Sequence, residues 1–183
     1  WPENRLSDTI KDRINTAFAL GSQRTPGQDI EFSVNQLVEI AVRALSPGVN
    51  DPFTAISCVD HLGSALCRLA QRELPSPYRH DRQDQLRLIA PVITFAETTD
   101  AAFNQIRQYG RSSAAVTIRM LEMISVIAEF AHRPEQRAAL LRHADMIARG
   151  ARDGLPEVED RGAVEEAYQA ACQACRKPAR PGP

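Results

Sequence analysis

The stretch from Arg24 to Thr54, RTPGQDIEFSVNQLVEIAVRALSPGVNDPFT, constrains the fold of this chain more than any other. It predicts a long helix with a strong start, a hard stop, and a second helix directly after it. Thr25 is the expected N-cap, Pro26 the first helical residue, and Gln28 the partner in a Thr-x-x-Gln capping box. Asp29 and Glu31 place negative charge where the helix dipole favours it. Apolar residues then recur with the helical period at Ile30, Val34, Leu37, Val38, Ala41 and Leu45. Phe32, Ile40 and Val42 widen that surface until only Asn35, Glu39 and Arg43 form a polar stripe, the pattern of a central helix. Ser46-Pro47-Gly48 ends it, because proline cannot continue the helix and glycine permits the turn. Asp51 as N-cap and Pro52 at the first helical position open the next helix, and the short link implies an antiparallel hairpin.

The rest of the chain reads as more helices. Leu6, Ile10, Ile14, Ala17 and Phe18 form an apolar stripe ahead of Gly21, and the hairpin's second helix runs from Pro52 to about Glu73 with Ile56, Val59, Gly63, Leu66 and Ala70 on one side. Gly63 there either permits close approach of a neighbouring helix or, as is more often the case, is simply tolerated. A polar, mobile loop, PYRHDRQDQ, follows Leu74-Pro75-Ser76, and Leu86 to Val92 is an extended connector or short edge strand. Thr94 and Glu97 form a capping box for a helix ending at Gly110. Helices then start at Ser112 or Ser113, at Pro134 and near Asp160, the last reaching Arg176. The expected fold is all-α: a single helical bundle, one domain over residues 1–183, of about seven helices around a central hairpin, with at most one short edge strand and a disordered tail, KPARPGP, at 177–183.

The strings RTPGQDIEF and QLVEIAVRALSPGVNDPFTA, with their ALSPG-x-NDP-x-TA core, resemble the soluble part of a bacterial predicted membrane protein family, domain of unknown function 2254. A looser match is LRLIAPVITFAETTDAAFNQIRQYGRSS, Leu86 to Ser113. The resemblance implies a membrane-spanning part upstream, followed by a mainly helical domain; it transfers no catalytic residues. An opening Trp1-Pro2-Glu3, without Met or a basic start, fits a fragment of such a protein.

Net charge is −1, so nothing predicts general attraction to nucleic acid. No apolar run approaches the roughly 18 residues that a membrane helix needs; the longest, Met120 to Ala131, is broken by Glu122 and Glu129. Cys58, Cys67, Cys172 and Cys175 suit free thiols in a reducing compartment, hence the cytoplasmic face of the inner membrane.

No reaction is spelled out. Cys172-x-x-Cys175 has no second pair or spaced histidine, so neither metal nor cofactor is expected. His61, His80, His132 and His143 match no ligand or catalytic spacing and read as surface or satisfied side chains. Arg68, Arg72, Arg79, Arg82 and Arg87, interleaved with Glu73, Asp81 and Asp84, give a mild positive excess that fits at most weak lipid headgroup contact. What remains is a candidate polar site bracketing the first hairpin helix: Arg24, Gln28 and Asp29 before it, Asn50, Asp51 and Thr54 beyond it. About 20 helical residues separate the two groups by roughly 30 Å, so capping explains them within one chain. The reading is a non-catalytic, self-associating cytoplasmic domain acting in assembly or regulation of a membrane part. Its alternative is a ligand-binding or enzymatic domain whose site forms across protomers from Arg24, Asp29, Asn50 and Asp51.

Overall fold

The computed structural model describes residues 7–18, 21 and 29–177. They form seven helices and one hairpin: α1 (Asp8–Thr16), α2 (Ile30–Ala44), α3 (Pro52–Ala70), β1 (Tyr78–His80), β2 (Leu86–Ile89), α4 (Phe95–Tyr109), α5 (Ala114–Phe130), α6 (Pro134–Gly154) and α7 (Val158–Arg176). The expected all-α bundle is what the sequence folds into.

Its central helix, however, is α5 rather than α2. α5 packs against α3, α6 and α7 and buries Val116, Met120, Leu121, Ile124 and Ile127 almost completely. It is apolar nearly all round, as a helix with neighbours on several sides must be. α2 packs mainly on α3 and α4, buries Val34, Val38, Ala41 and Ala44, and leaves Ile30 and Ile40 exposed. Periodicity counts apolar residues; it does not count how many neighbours will cover them. α1 departs further. Every residue from Ser7 to Phe18 is exposed, so Ile10, Ile14, Ala17 and Phe18 do not face a core, and Leu6 lies outside the described residues. With Asp8, Lys11, Asp12 and Arg13 on a nine-residue helix, too little apolar surface is left to hold it against the bundle.

α3 and α5 meet closely at Gly63, where a Cβ would stand 2.1 Å from Met123 Cγ and Sδ. The predicted capping box of α4 is present: Thr94 Oγ1 accepts from Glu97 N–H at 3.1 Å, and Glu97 Oε2 accepts from Thr94 N–H at 2.8 Å. The first turn of α6 satisfies the ends of three other helices. Gln136, 2% exposed, donates to Ala70 O at the end of α3 (3.1 Å) and accepts from Arg133 N–H (3.1 Å). Arg137 donates to Ala131 O (2.8 Å) and Ala128 O (3.3 Å) at the end of α5, and to Cys175 O (2.8 Å) and Lys177 O at the end of α7. These carbonyls have no partner within their own helices, and buried ones left bare are costly.

The Tyr78–Ile89 segment corrects the expectation of a mobile loop and a lone edge strand. β1 and β2 pair antiparallel, with Tyr78 opposite Ile89, Arg79 opposite Leu88 and His80 opposite Leu86, and a bulge between Arg79 and His80. Asp81 shapes the turn: Oδ1 accepts from Gln83 N–H and Gln85 N–H, both at 2.9 Å, and Oδ2 accepts from Arg87 Nε at 2.6 Å. Asp84 takes the left-handed conformation, φ 57°, that aspartate tolerates better than most residues. The polar composition that reads as a loop is here the chemistry of a tight turn.

Candidate functional site

The residues bracketing α2 resolve into two separate helix starts. α2 begins at Ile30, later than Pro26, and Asp29 is its N-cap, with Oδ1 accepting from Phe32 N–H at 3.2 Å. Asp29 therefore does the work expected of Thr25. Arg24, Thr25, Pro26 and Gln28 lie outside the described residues.

At the far end, Asp51 caps α3. Its Oδ1 accepts from Phe53 N–H and Thr54 N–H, both at 3.1 Å, and its Oδ2 accepts from Thr54 Oγ1 at 2.5 Å. The Thr54 hydroxyl and then its backbone N–H hold the carboxyl below the usual aspartate value, since each bonds the ionised form. Thr54 thus serves Asp51. Asp51 N–H in turn donates to Ala44 O at 2.8 Å, closing the link on the end of α2. The left-handed residue in that link is Asn50, φ 49°, not Gly48. Asparagine reaches this region more readily than other side chains, so the SPGVNDP turn rests on Asn50.

These two starts do not converge. The 15 residues of α2 span about 22 Å. Beside Asp29 lies an open groove of about 740 Å³ lined by Ser33, Leu69, Arg72, Glu73 and the Pro91–Ile93 connector. The beginning of α2 thus meets the end of α3, as the antiparallel hairpin predicts.

The polar cluster that stands apart is one that periodicity could not find. His143 on α6 is fully buried, and its Nε2 lies 2.7 Å from Oδ1 of Asp100 on α4. The same oxygen accepts from Arg142 Nη2 at 2.6 Å. Burial disfavours ionisation of Asp100, but the bonds from Arg142 and His143 outweigh it and hold its carboxyl below the usual value. Toward an ionised Asp100 the imidazole presents Nε2–H, which leaves Nδ1 as an acceptor with no hydrogen-bond partner among the described residues. Burial pushes the His143 pKa down against the pull of Asp100, and the edge of Phe103 packs on the ring at 5.7 Å. Residues 43 positions apart give no local signal. The other histidines, His61, His80 and His132, are exposed. Cys172 and Cys175 are buried thiols, and burial pushes Cys175 up to about 11, so in the metal-free chain it stays protonated at neutral pH.

Residues 1–125 match the family model described as "predicted membrane protein", domain of unknown function 2254. Uncharacterised proteins of Mycobacterium bovis and of two strains of Mycobacterium tuberculosis are each 36% identical to this chain over 159 residues, covering 87% of this chain and 30% of theirs. The chain thus spans under a third of the length of those relatives. No solved structure matches it. Among the described residues no helix is long and apolar enough to cross a membrane. The chain belongs to the predicted membrane protein family 2254.

Proposed function

We propose that this chain is a non-catalytic helical assembly domain of a membrane protein, lying on the cytoplasmic face of the bacterial inner membrane and joining copies of that protein. One observation carries the reading: polar side chains are engaged in building the fold, while large apolar ones stand outside it. Asp29 and Asp51 cap helices, and Gln136 and Arg137 tie helix ends together. Ile40 is 49% exposed and Phe53 79% exposed, and the β-hairpin carries further apolar residues at the surface. Surfaces of this kind support interaction with another macromolecule. A domain attached to membrane helices meets its own copies at high local concentration, which favours self-association. Four free cysteines support the cytoplasmic side. The native mass of the chain in solution tests the reading.

The groove beside Asp29, with Arg72 and Glu73 on its walls, supports a second reading, in which the Asp29 end binds a small polar ligand. A thermal-shift screen tests it. Asp29→Asn keeps the cap and removes the charge, so stabilisation by a true ligand of that carboxylate disappears in the variant.

A further inference from the structure

Helix α1 carries an apolar face with charges arranged around it in a definite order. Ile10 is 42% exposed, Ile14 45% and Phe18 74%, and with Ala17 and Arg13 they line one shallow hollow. At about 100° per residue, Lys11 and Arg13 fall roughly 80° to either side of the midline between Ile10 and Ile14. Asp12 falls opposite that midline, and Asp8 lies beside Asp12 on the far side. The two cations thus border the apolar face, and the two carboxylates sit away from it. Lys11 Nζ meets Asp8 Oδ1 at 3.0 Å, but both side chains are exposed, and such a pair holds its members only weakly.

This order of charge decides what can cover the face. A second α1 packed on it, parallel or antiparallel, would bring the Lys11 and Arg13 borders of the two helices together, cation against cation. Nine residues also offer far less than the roughly 800 Å² per partner that a stable protein interface buries. An anionic lipid surface reverses both objections. Apolar side chains enter the boundary below the headgroups, the long Lys11 and Arg13 side chains reach back to the phosphates, and Asp8 and Asp12 stay in water. A helix this short is marginal on its own in water, so a surface that takes up its apolar face also favours its folding. Its length, about 14 Å, is too short to cross a bilayer. The family is one of predicted membrane proteins, so lipid is close at hand.

We infer that α1 is an interfacial helix, lying in the plane of an anionic bilayer with Ile10, Ile14, Ala17 and Phe18 inserted. The inference does not depend on the self-association proposed above. Two cations are fewer than the four to eight of a polybasic lipid-binding cluster. Apolar insertion therefore carries the binding, and charge sets the preference for anionic lipid.

Co-sedimentation of the 183-residue chain with vesicles of phosphatidylglycerol and phosphatidylcholine tests it. The wild-type chain is expected to bind. Ile10→Gln with Ile14→Gln should weaken binding by about tenfold or more, and Lys11→Gln with Arg13→Gln by less. Helical circular dichroism and the urea midpoint should stay those of the wild type in both, because all four side chains are outside the core. Orientation is read with an environment-sensitive fluorophore in a Cys67→Ser background, since Cys58, Cys172 and Cys175 are buried. The label on Ala17→Cys should shift to the blue when vesicles are added, and the label on Thr16→Cys, on the polar side, should not. A wild-type chain that does not bind, binding unchanged in either double variant, or equal shifts from the two labels would overturn the inference. So would a native mass, measured without vesicles, that Ile10→Gln with Ile14→Gln lowers while vesicle binding persists, since the face would then belong to a second copy. A monomeric chain that binds vesicles as described would remove self-association and leave the interfacial helix standing.

Discussion

Gly63 on α3 and Met123 on α5 share one space: a Cβ on Gly63 would stand 2.1 Å from both Cγ and Sδ of Met123. Alanine at Gly63 gains about 1 kcal/mol in helix propensity. It also forces the Met123 side chain, 6% exposed, out of its place at an overpacking cost of about 1–3 kcal/mol. Gly63→Ala is therefore expected to destabilise by up to about 2 kcal/mol in urea unfolding. In a Met123→Ala background the clash is gone and Gly63→Ala should stabilise. A double-mutant cycle reads the difference; equal effects in both backgrounds would show that Gly63 and Met123 are not in close contact.

Asp51 gives a test of capping. Asp51→Ala removes every acceptor for the Phe53 and Thr54 N–H groups and should lower the unfolding midpoint by about 2–4 °C. Asp51→Asn and Asp51→Ser cap nearly as well and should leave the midpoint close to that of the wild type. If Asn behaves like Ala, the negative charge rather than the cap is what the site uses.

Arg137 should be among the most sensitive polar positions. Its guanidinium holds carbonyls at the ends of α5 and α7 together. Arg137→Ala is expected to cost about 2–3 kcal/mol, through several half-buried carbonyls losing a charged donor. Arg137→Lys should recover only part of this, because an ammonium cannot span the same acceptors. Full recovery by lysine would mean that charge, not the planar fork, ties the helix ends.

The helix count and the caps at Asp51 and Thr94 were legible because each is a local signal of a few residues, whereas a tolerated Gly63 was the favoured reading and its contact with Met123, on another helix, has no local signal. The start of α2 was misplaced because Asp29 caps as well as Thr25, and sequence alone ranks the two by pattern only. The choice of α2 over α5 as centre failed because coverage depends on neighbours distant in sequence. Of the candidate site, the expectation that one chain cannot bring Asp29 to Asp51 follows from helix length alone. The Asp100–His143 pair had no such signature, being an encounter between two helices.

That pair predicts an acid-sensitive fold. His143 has a folded-state pKa below its unfolded value, so the neutral form is the one the fold favours. The resulting stability is fully present above about pH 6.5 and is lost as pH falls through that value toward the folded pKa. Arg142 and Arg107 oppose the extra positive charge and Asp100 offsets part of it. The urea midpoint should therefore drop between pH 7 and pH 5, where His143→Gln, which can still donate to Asp100 but does not titrate, should show a flatter profile. Superimposable profiles would exclude His143 as the cause.

Native light scattering at micromolar concentration and above measures self-association directly. The expected mass is a multiple of 20.2 kDa that falls on dilution toward the single chain. A mass of 20.2 kDa at every concentration would contradict it.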